Sequence, residues 1–399
     1  MFSDLPIEII RKEIFSHLDG SAKIVLNNVL WNMPIPQDIR LGIQFEICQY
    51  SVEYLNFFHS KMRKSLVLHF LSLQGNFDGM KWAREIGYPW DGMICGNVAK
   101  SGNLEMLKWL HENGCPWNIL TTTNAAQNGN LDVLKWLYEN GCPWDMQTAT
   151  FAAGNGHLDI IKWVHENGLH WDTTTCESAA QAGHLEVLKW LRMNGCPWNK
   201  WTSSNAAKNG HLEILKWATE NGCPWNKYTC ALAAKGGHFE VLKWLRNNDC
   251  PWDSRTSNFA AENGQIEILK WAHSNGCPLD KDCCTSAAEK GHLEVLKWLI
   301  QNGCPWDEEM CIGAASSGQL EVIKWSRKNG CPWDKRTCEG AVRYGYLEVL
   351  KWVRENGCPW DEETFIIAKD EGQVEIMNWI IENGCPIPEE DDEDEEDDN

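Results

Sequence analysis

The chain has 399 residues, 43% hydrophobic and 23% charged, so it holds apolar material for a core and wholesale disorder is excluded. Its 24 Trp against 11 Phe and 7 Tyr fit no ordinary mixture of independent domains. The net charge of -20 disfavours general binding to nucleic acid or to an anionic membrane surface, and half of it is local, because Glu389 to Asp398 are ten acids without a base.

Residues 1–40 form a small helical module. Asp4-Leu5-Pro6-Ile7-Glu8 starts a helix with Pro in its first turn, and Ile9, Ile10, Ile14, Phe15 and Leu18 make an apolar stripe along it. Asp19-Gly20-Ser21 breaks this helix, a second runs from Ile24 to Leu30, and Pro34 and Pro36 end it. The segment lacks the basic start and apolar run of a secretory signal, and no stretch approaches the roughly 18 apolar residues of a membrane span. The 18 Cys are therefore expected as thiols in a reducing, cytoplasmic setting. Residues 41–74 read as a degenerate capping repeat, in which Val52-Glu53-Tyr54-Leu55-Asn56-Phe57-Phe58 imitates the helix that recurs after it.

Residues 75–388 are a repeat array of about 12 units. Trp82, Trp109, Trp136, Trp163, Trp190, Trp217, Trp244, Trp271, Trp298, Trp325, Trp352 and Trp379 are spaced by 27 throughout. A second series from Trp90 to Trp360 has the same spacing, with Leu279 in its one gap, and the two series hold 22 of the 24 Trp. One unit reads WDTTTCESAAQAGHLEVLKWLRMNGCP from Trp171 to Pro197. Its Asp or Asn after Trp is an N-cap, an Ala pair marks a short first helix, and Gly183 supplies a left-handed C-terminal turn. Leu185, Val187, Leu188 and Leu191 give the second helix its apolar face, and Asn194-Gly195-Cys196-Pro197 stops it. Helices of about ten residues are marginal alone, so the pairs must stack on their neighbours. The expected fold is all-α, an α-solenoid preceded by the small N-terminal helical module.

Few residues in the repeat point to chemistry. Ten Cys occupy the Gly-Cys-Pro slot and six more recur in the first helix; pairs such as Cys304 and Cys311 are seven apart, which is no zinc spacing, so they read as small buried residues, with metal or redox roles as the minor alternative. His157, His184, His211, His238 and His292 share a slot with Asn130, Gln265 and Gln319, so that slot wants a hydrogen-bonding side chain at a helix start. The Trp ladders read as packing on the buried face of the second helix and in the connection. No phosphate loop, dinucleotide fingerprint, nucleophile elbow or metal-binding helix motif occurs, so no catalytic residue, cofactor or metal is expected and the chain is not read as an enzyme.

The positions that vary within the fixed frame are the two after the N-cap and the two before the central Gly. They include Lys200-Trp201, Lys227-Tyr228, Ser254-Arg255, Lys335-Arg336 and Arg343-Tyr344. Trp201, Tyr228, Arg255, Arg336 and Tyr344 are the candidates for target binding, since aromatic and Arg side chains anchor interfaces. Residues 389–399 read as a disordered acidic tail, with contact to a basic partner as the alternative.

The string T-x-x-x-A-A-x-x-G-H-L-E-V-L-K-W-L-x-x-N-G resembles the ankyrin repeat, matching its first helix, tight turn and second helix. Ankyrin repeats run 33 residues, and the missing six fall where the β-hairpin finger belongs. The resemblance implies ankyrin-like helix pairs with shortened fingers and a first-helix side that faces a binding groove. The string L-P-x-E-I-I-x-x-x-I-F-S-H-L-D resembles the first half of an F-box, which docks the Skp1 adaptor of cullin-RING ubiquitin ligases. Leu5, Pro6, Ile9, Ile14, Phe15 and Leu18 match that family's apolar positions; its later basic residue and Trp have no clear match here. The combination resembles the F-box/ankyrin proteins of giant DNA viruses of amoebae. It implies a monomeric substrate receptor in an SCF-type ligase, in host cytoplasm or nucleus, with a Skp1-like adaptor, a cullin complex and an unidentified target protein as partners. The alternative is an ankyrin scaffold or decoy whose N-terminal helices only cap the array.

Overall fold

The structure is a computed structural model that describes residues 64–388. Among the described residues there are 24 helices and no strand, arranged as twelve consecutive helix pairs. The first pair is Lys64–Gln74 with Phe77–Glu85, the second Gly92–Ser101 with Leu104–Glu112, and the last Glu362–Asp370 with Val374–Glu382. The segment 1–40, residues 41–63 and the tail 389–399 lie outside the described residues.

Local hydrogen bonds mark the starts of many first helices and the ends of most second helices. The N-cap carboxylates of Asp91 and Asp145 accept from the amides two residues on, both at 2.9 Å. Asn118, Asn199 and Asn226 go further, because a Thr at the third helical position returns a bond to the cap amide and closes a capping box. The turn between the helices of a pair needs a left-handed residue. At Gly210, φ is +79°, and an added Cβ would also meet the His238 ring at 2.6 Å. At the end of the second helix an Asn side chain bonds the carbonyl of the Trp four residues back, as Asn194 does to Trp190 at 2.8 Å. Gly follows in most repeats; Asp249 takes that place once and adopts φ 60°.

The chain divides into two compact units, Met1–Ala179 with Glu186–Pro197, and Ala180–Leu185 with Trp198–Asn399. In the first unit, helices Lys64–Gln74, Gly92–Ser101, Ile119–Gln127 and Met146–Gly154 pack in succession. In the second, helices Lys200–Lys208 to Glu362–Asp370 pack in the same succession, each with its own second helix against it. Each unit is thus a solenoid of helix pairs. Between first helices the seam is made of small residues, such as Ala206 and Ala207 at 0% exposure, which lets the backbones approach closely. Second helices bury Leu-type triplets such as Val241, Leu242 and Leu245. Each fully buried Leu contributes about 1.5–3 kcal/mol relative to exposure, so the triplets dominate the stability of a repeat.

The Trp ladders differ from the sequence expectation. Only Trp82 of the two series is buried; the others are half-buried. The Trp of the connection meets the Trp of the next second helix nearly edge-on, as in Trp171–Trp190 at 5.9 Å and 88° and Trp225–Trp244 at 6.0 Å and 70°. The Leu-type triplet fills the seam, so the larger indole is displaced to the flank of the helix and seals it from outside.

Candidate protein-interaction surface

Two slots that tempt a chemical reading are tied up in structure. His157 Nε2 lies 3.1 Å from the Gln127 carbonyl and His292 Nε2 lies 3.1 Å from the Glu262 carbonyl, thirty residues back in both cases. Asn130 does the same with Ala99 at 2.9 Å. The slot therefore stitches neighbouring repeats together. The Gly-Cys-Pro thiols are buried and point at the carbonyl of the N-cap residue of the preceding connection, as Cys304 does at 3.1 Å from Asp280 O. Burial pushes the Cys142 thiol up to about 12 and the Cys385 thiol up to about 11, which leaves them neutral and unreactive near neutral pH.

The second residue after each N-cap forms a row along the first helices. Trp201, Tyr228 and Arg255 occupy it in three successive repeats of the second unit. The Trp201 and Tyr228 rings lie 6.1 Å apart, and the Arg255 guanidinium sits 3.8 Å above the Tyr228 ring. Trp201 is 41% exposed and Tyr228 37%. Lys200 approaches the Trp201 ring at 5.9 Å. The three anchors are thus a contiguous π–π–cation ladder with its rings open to solvent.

Asp253 holds the ladder in place. It receives Arg255 Nε at 3.0 Å and Nη2 at 2.6 Å, and Lys227 Nζ approaches it at 3.2 Å. The Arg255 hydrogen bonds hold the Asp253 carboxyl below its ordinary value and raise the guanidinium in turn. Sequence reasoning missed Asp253 as an organiser. The available signal was the change from Asn199 and Asn226 to Asp253 at the cap, at the repeat where Arg255 enters the row.

Arg336 stands in the same row three repeats beyond Arg255. It bonds Asp334 at 2.9 Å and Glu309 at 2.5 Å, and Glu308 is 3.5 Å away. These acids raise the guanidinium above its ordinary value and neutralise it. Lys281 with Asp307 at 2.9 Å and Lys335 with Asp361 at 2.6 Å repeat the pattern, and each lysine is raised by its partner. Tyr344 is 60% exposed, but it caps the far end of helix Lys335–Arg343 and is not part of the row. Leu5, Pro6, Ile9, Ile14, Phe15 and Leu18 lie outside the described residues. In the first unit the row carries Met93, Leu120, Gln147 and Thr174, with Met146 beside Gln147. Met93, Leu120 and Met146 are 57%, 47% and 48% exposed. Sequence analysis did not single them out, because it looked to aromatic and Arg side chains as interface anchors.

Residues 95–175 and 122–202 match the model of a family described as ankyrin repeats, in three copies. No curated protein matches the chain. Residues 95–202 are thus similar to ankyrin repeats, and an array of such repeats is a protein–protein interaction module. No described helix is long and apolar enough to cross a membrane.

Proposed function

We propose that this chain is the substrate receptor of an SCF-type cullin-RING ubiquitin ligase. The first-helix row of the second unit holds the target protein, and Leu5, Pro6, Ile9, Ile14, Phe15 and Leu18 dock a Skp1-like adaptor. The observation that supports target capture is the exposed ladder of Trp201, Tyr228 and Arg255, preset by Asp253. Rings already held in place lose little freedom on binding, so their contact area converts efficiently into affinity. The adaptor half is supported by the apolar pattern of residues 4–18. The receptor performs no bond chemistry in this reading. It raises the effective concentration of the target near the ubiquitin-loaded enzyme, and partners supply catalysis.

The test is co-purification of the full chain with Skp1 and with captured target. Wild type is expected to retain both. Pro6→Ala with Phe15→Ala is expected to lose Skp1 and keep the target, whereas Trp201→Ala with Tyr228→Ala does the reverse. Failure of wild type to retain Skp1 alongside intact target capture overturns the ligase reading in favour of a scaffold or decoy.

A further inference from the structure

The first helices differ in charge, and two neighbours in the second unit stand apart. Helices Lys200–Lys208 and Lys227–Lys235 each carry a Lys at both ends and no acid, in a chain whose net charge is -20. Residues seven apart share a helix face. Lys208 therefore stands on the face of Trp201, and Lys235 on the face of Tyr228. The two rings are framed by four ammonium groups. About 12 Å of helix axis separates the Lys200 end from the Lys208 end, and neighbouring packed helices lie about 8–10 Å apart. Two of the four lysines already have partners. Lys227 Nζ lies 3.2 Å from Asp253, and Lys235 Nζ lies 3.9 Å from Glu262 and 4.6 Å from the centre of the Phe259 ring. Lys200 and Lys208 are exposed, and among the described residues neither has an ion-pair partner.

We infer that this patch holds a short acidic segment of the target protein, with an apolar residue of that segment seated against the Trp201 and Tyr228 rings, and in this it rests on the target-capture reading above. The sign of the ligand follows from the lysines, two of which stand uncompensated beside open rings. Its length follows from what lies further along the row. Helix Lys281–Glu289 carries Asp282 and Glu289, and helix Glu308–Ser316 begins with Glu308 and Glu309. A long polyanion such as a nucleic acid, continuing along the array, meets these carboxylates and is repelled, whereas a segment confined to two helices is not. An extended chain advances about 3.3 Å per residue with every second side chain on one face, so about four residues span the two lysine ends. The chain's own acidic tail does not reach the patch in cis. Its eleven residues, Glu389 to Asn399, extend at most about 40 Å. Six stacking steps, roughly 50–60 Å, separate helix Glu362–Asp370 from helix Lys200–Lys208.

The test is fluorescence anisotropy of the full chain with three labelled synthetic probes. They are a short peptide of Asp and Glu with one central Phe, the same peptide with Lys in place of the acids, and a single-stranded oligothymidylate. Wild type is expected to bind the acidic peptide more tightly than either other probe. That affinity is expected to fall roughly tenfold as salt rises from about 50 to about 300 mM. Lys200→Glu with Lys208→Glu is expected to weaken the acidic peptide by about tenfold or more, and Trp201→Ala by about fivefold or more, with helical circular dichroism unchanged. Lys216→Glu with Lys243→Glu makes the same change of net charge on second helices of the same unit and is expected to leave affinity within about twofold. Equal binding of the basic peptide, tighter binding of the oligothymidylate, or no effect of charge reversal at Lys200 and Lys208 overturns the inference. Self-association of the chain that is abolished both by deleting residues 389–399 and by Lys200→Glu with Lys208→Glu makes the tail of a second copy the occupant and overturns it too. Skp1 takes no part in this titration, so loss of Skp1 retention leaves the result standing. A target that needs Trp201 and Tyr228 but is indifferent to the lysines overturns the acidic segment alone.

Discussion

The same row on the first helices differs in chemistry between the two units. In the first unit it presents Met93 and Leu120, with Met146 alongside, as exposed apolar side chains. In the second it presents the Trp201–Tyr228–Arg255 ladder, followed by the charged Asp282, Glu309, Arg336 and Glu363, with Arg336 paired to Asp334 and Glu309, and the adjacent Lys281 and Lys335 paired to Asp307 and Asp361. The caps, the Ala seams and the Leu-type triplets are alike in both. Backbone and core therefore impose nothing on the row, and its residues are free to diverge toward a binding role. Apolar Met is adaptable and carries no orientation. An aromatic ladder locked by a carboxylate has one geometry, so the second unit is the better place for specific recognition.

The largest expected effect tests whether the two frames are equivalent. Leu134→Ala in the first unit and Leu242→Ala in the second both empty a site of 0% exposure, and each is expected to cost about 2–5 kcal/mol. Urea unfolding followed by circular dichroism measures both; costs differing by more than this range would show that the frames are not alike. Next comes the row itself. Trp201→Ala with Tyr228→Ala is expected to weaken target binding by about 2 kcal/mol or more, while Met93→Ser with Leu120→Ser leaves it nearly unchanged. Calorimetry with the captured target reads both pairs, and the reverse ranking would move recognition to the first unit.

A smaller effect is electrostatic. Asp253 is held below its ordinary 3.8, so its contribution is present at neutral pH and is lost as pH falls from about 5 through its folded value. Being partly exposed, the cluster is worth about 1 kcal/mol at most. The stability difference between wild type and Asp253→Asn is expected to shrink toward zero between about pH 5 and pH 2, and to shrink with added salt. A difference that grows on acidification would contradict the assignment. The smallest effect is expected from the exposed pairs three residues apart on the second helices. Glu186→Ala in the first unit and Glu240→Ala in the second each break a lysine contact, at 2.7 Å and 2.8 Å. Each should change stability by about 0.2–0.5 kcal/mol in thermal unfolding.

Much of this molecule was legible beforehand. The cap at Asp145 and the stop at Asn194-Gly195 rest on hydrogen bonds two and four residues apart, so a window of sequence contains both partners. Trp201 was legible as a binding candidate because it stands at a position that varies within the fixed frame, and it is 41% exposed. The Trp ladders were misjudged: indole and leucine both read as apolar, and only packing decides which takes the seam and which the flank.

The amino-acid pattern alone determined the helix pairs, their ends and the need to stack, because propensity, capping and left-handed glycine act locally. Tertiary structure decided which charges cancel and which side chains stand together. Arg336 is neutralised by Glu309, 27 positions away, and His157 is spent on a carbonyl 30 positions back. Such separations are longer than a repeat's own helices, so stacking alone closes them and only the stacked array fixes the electrostatics of its surface.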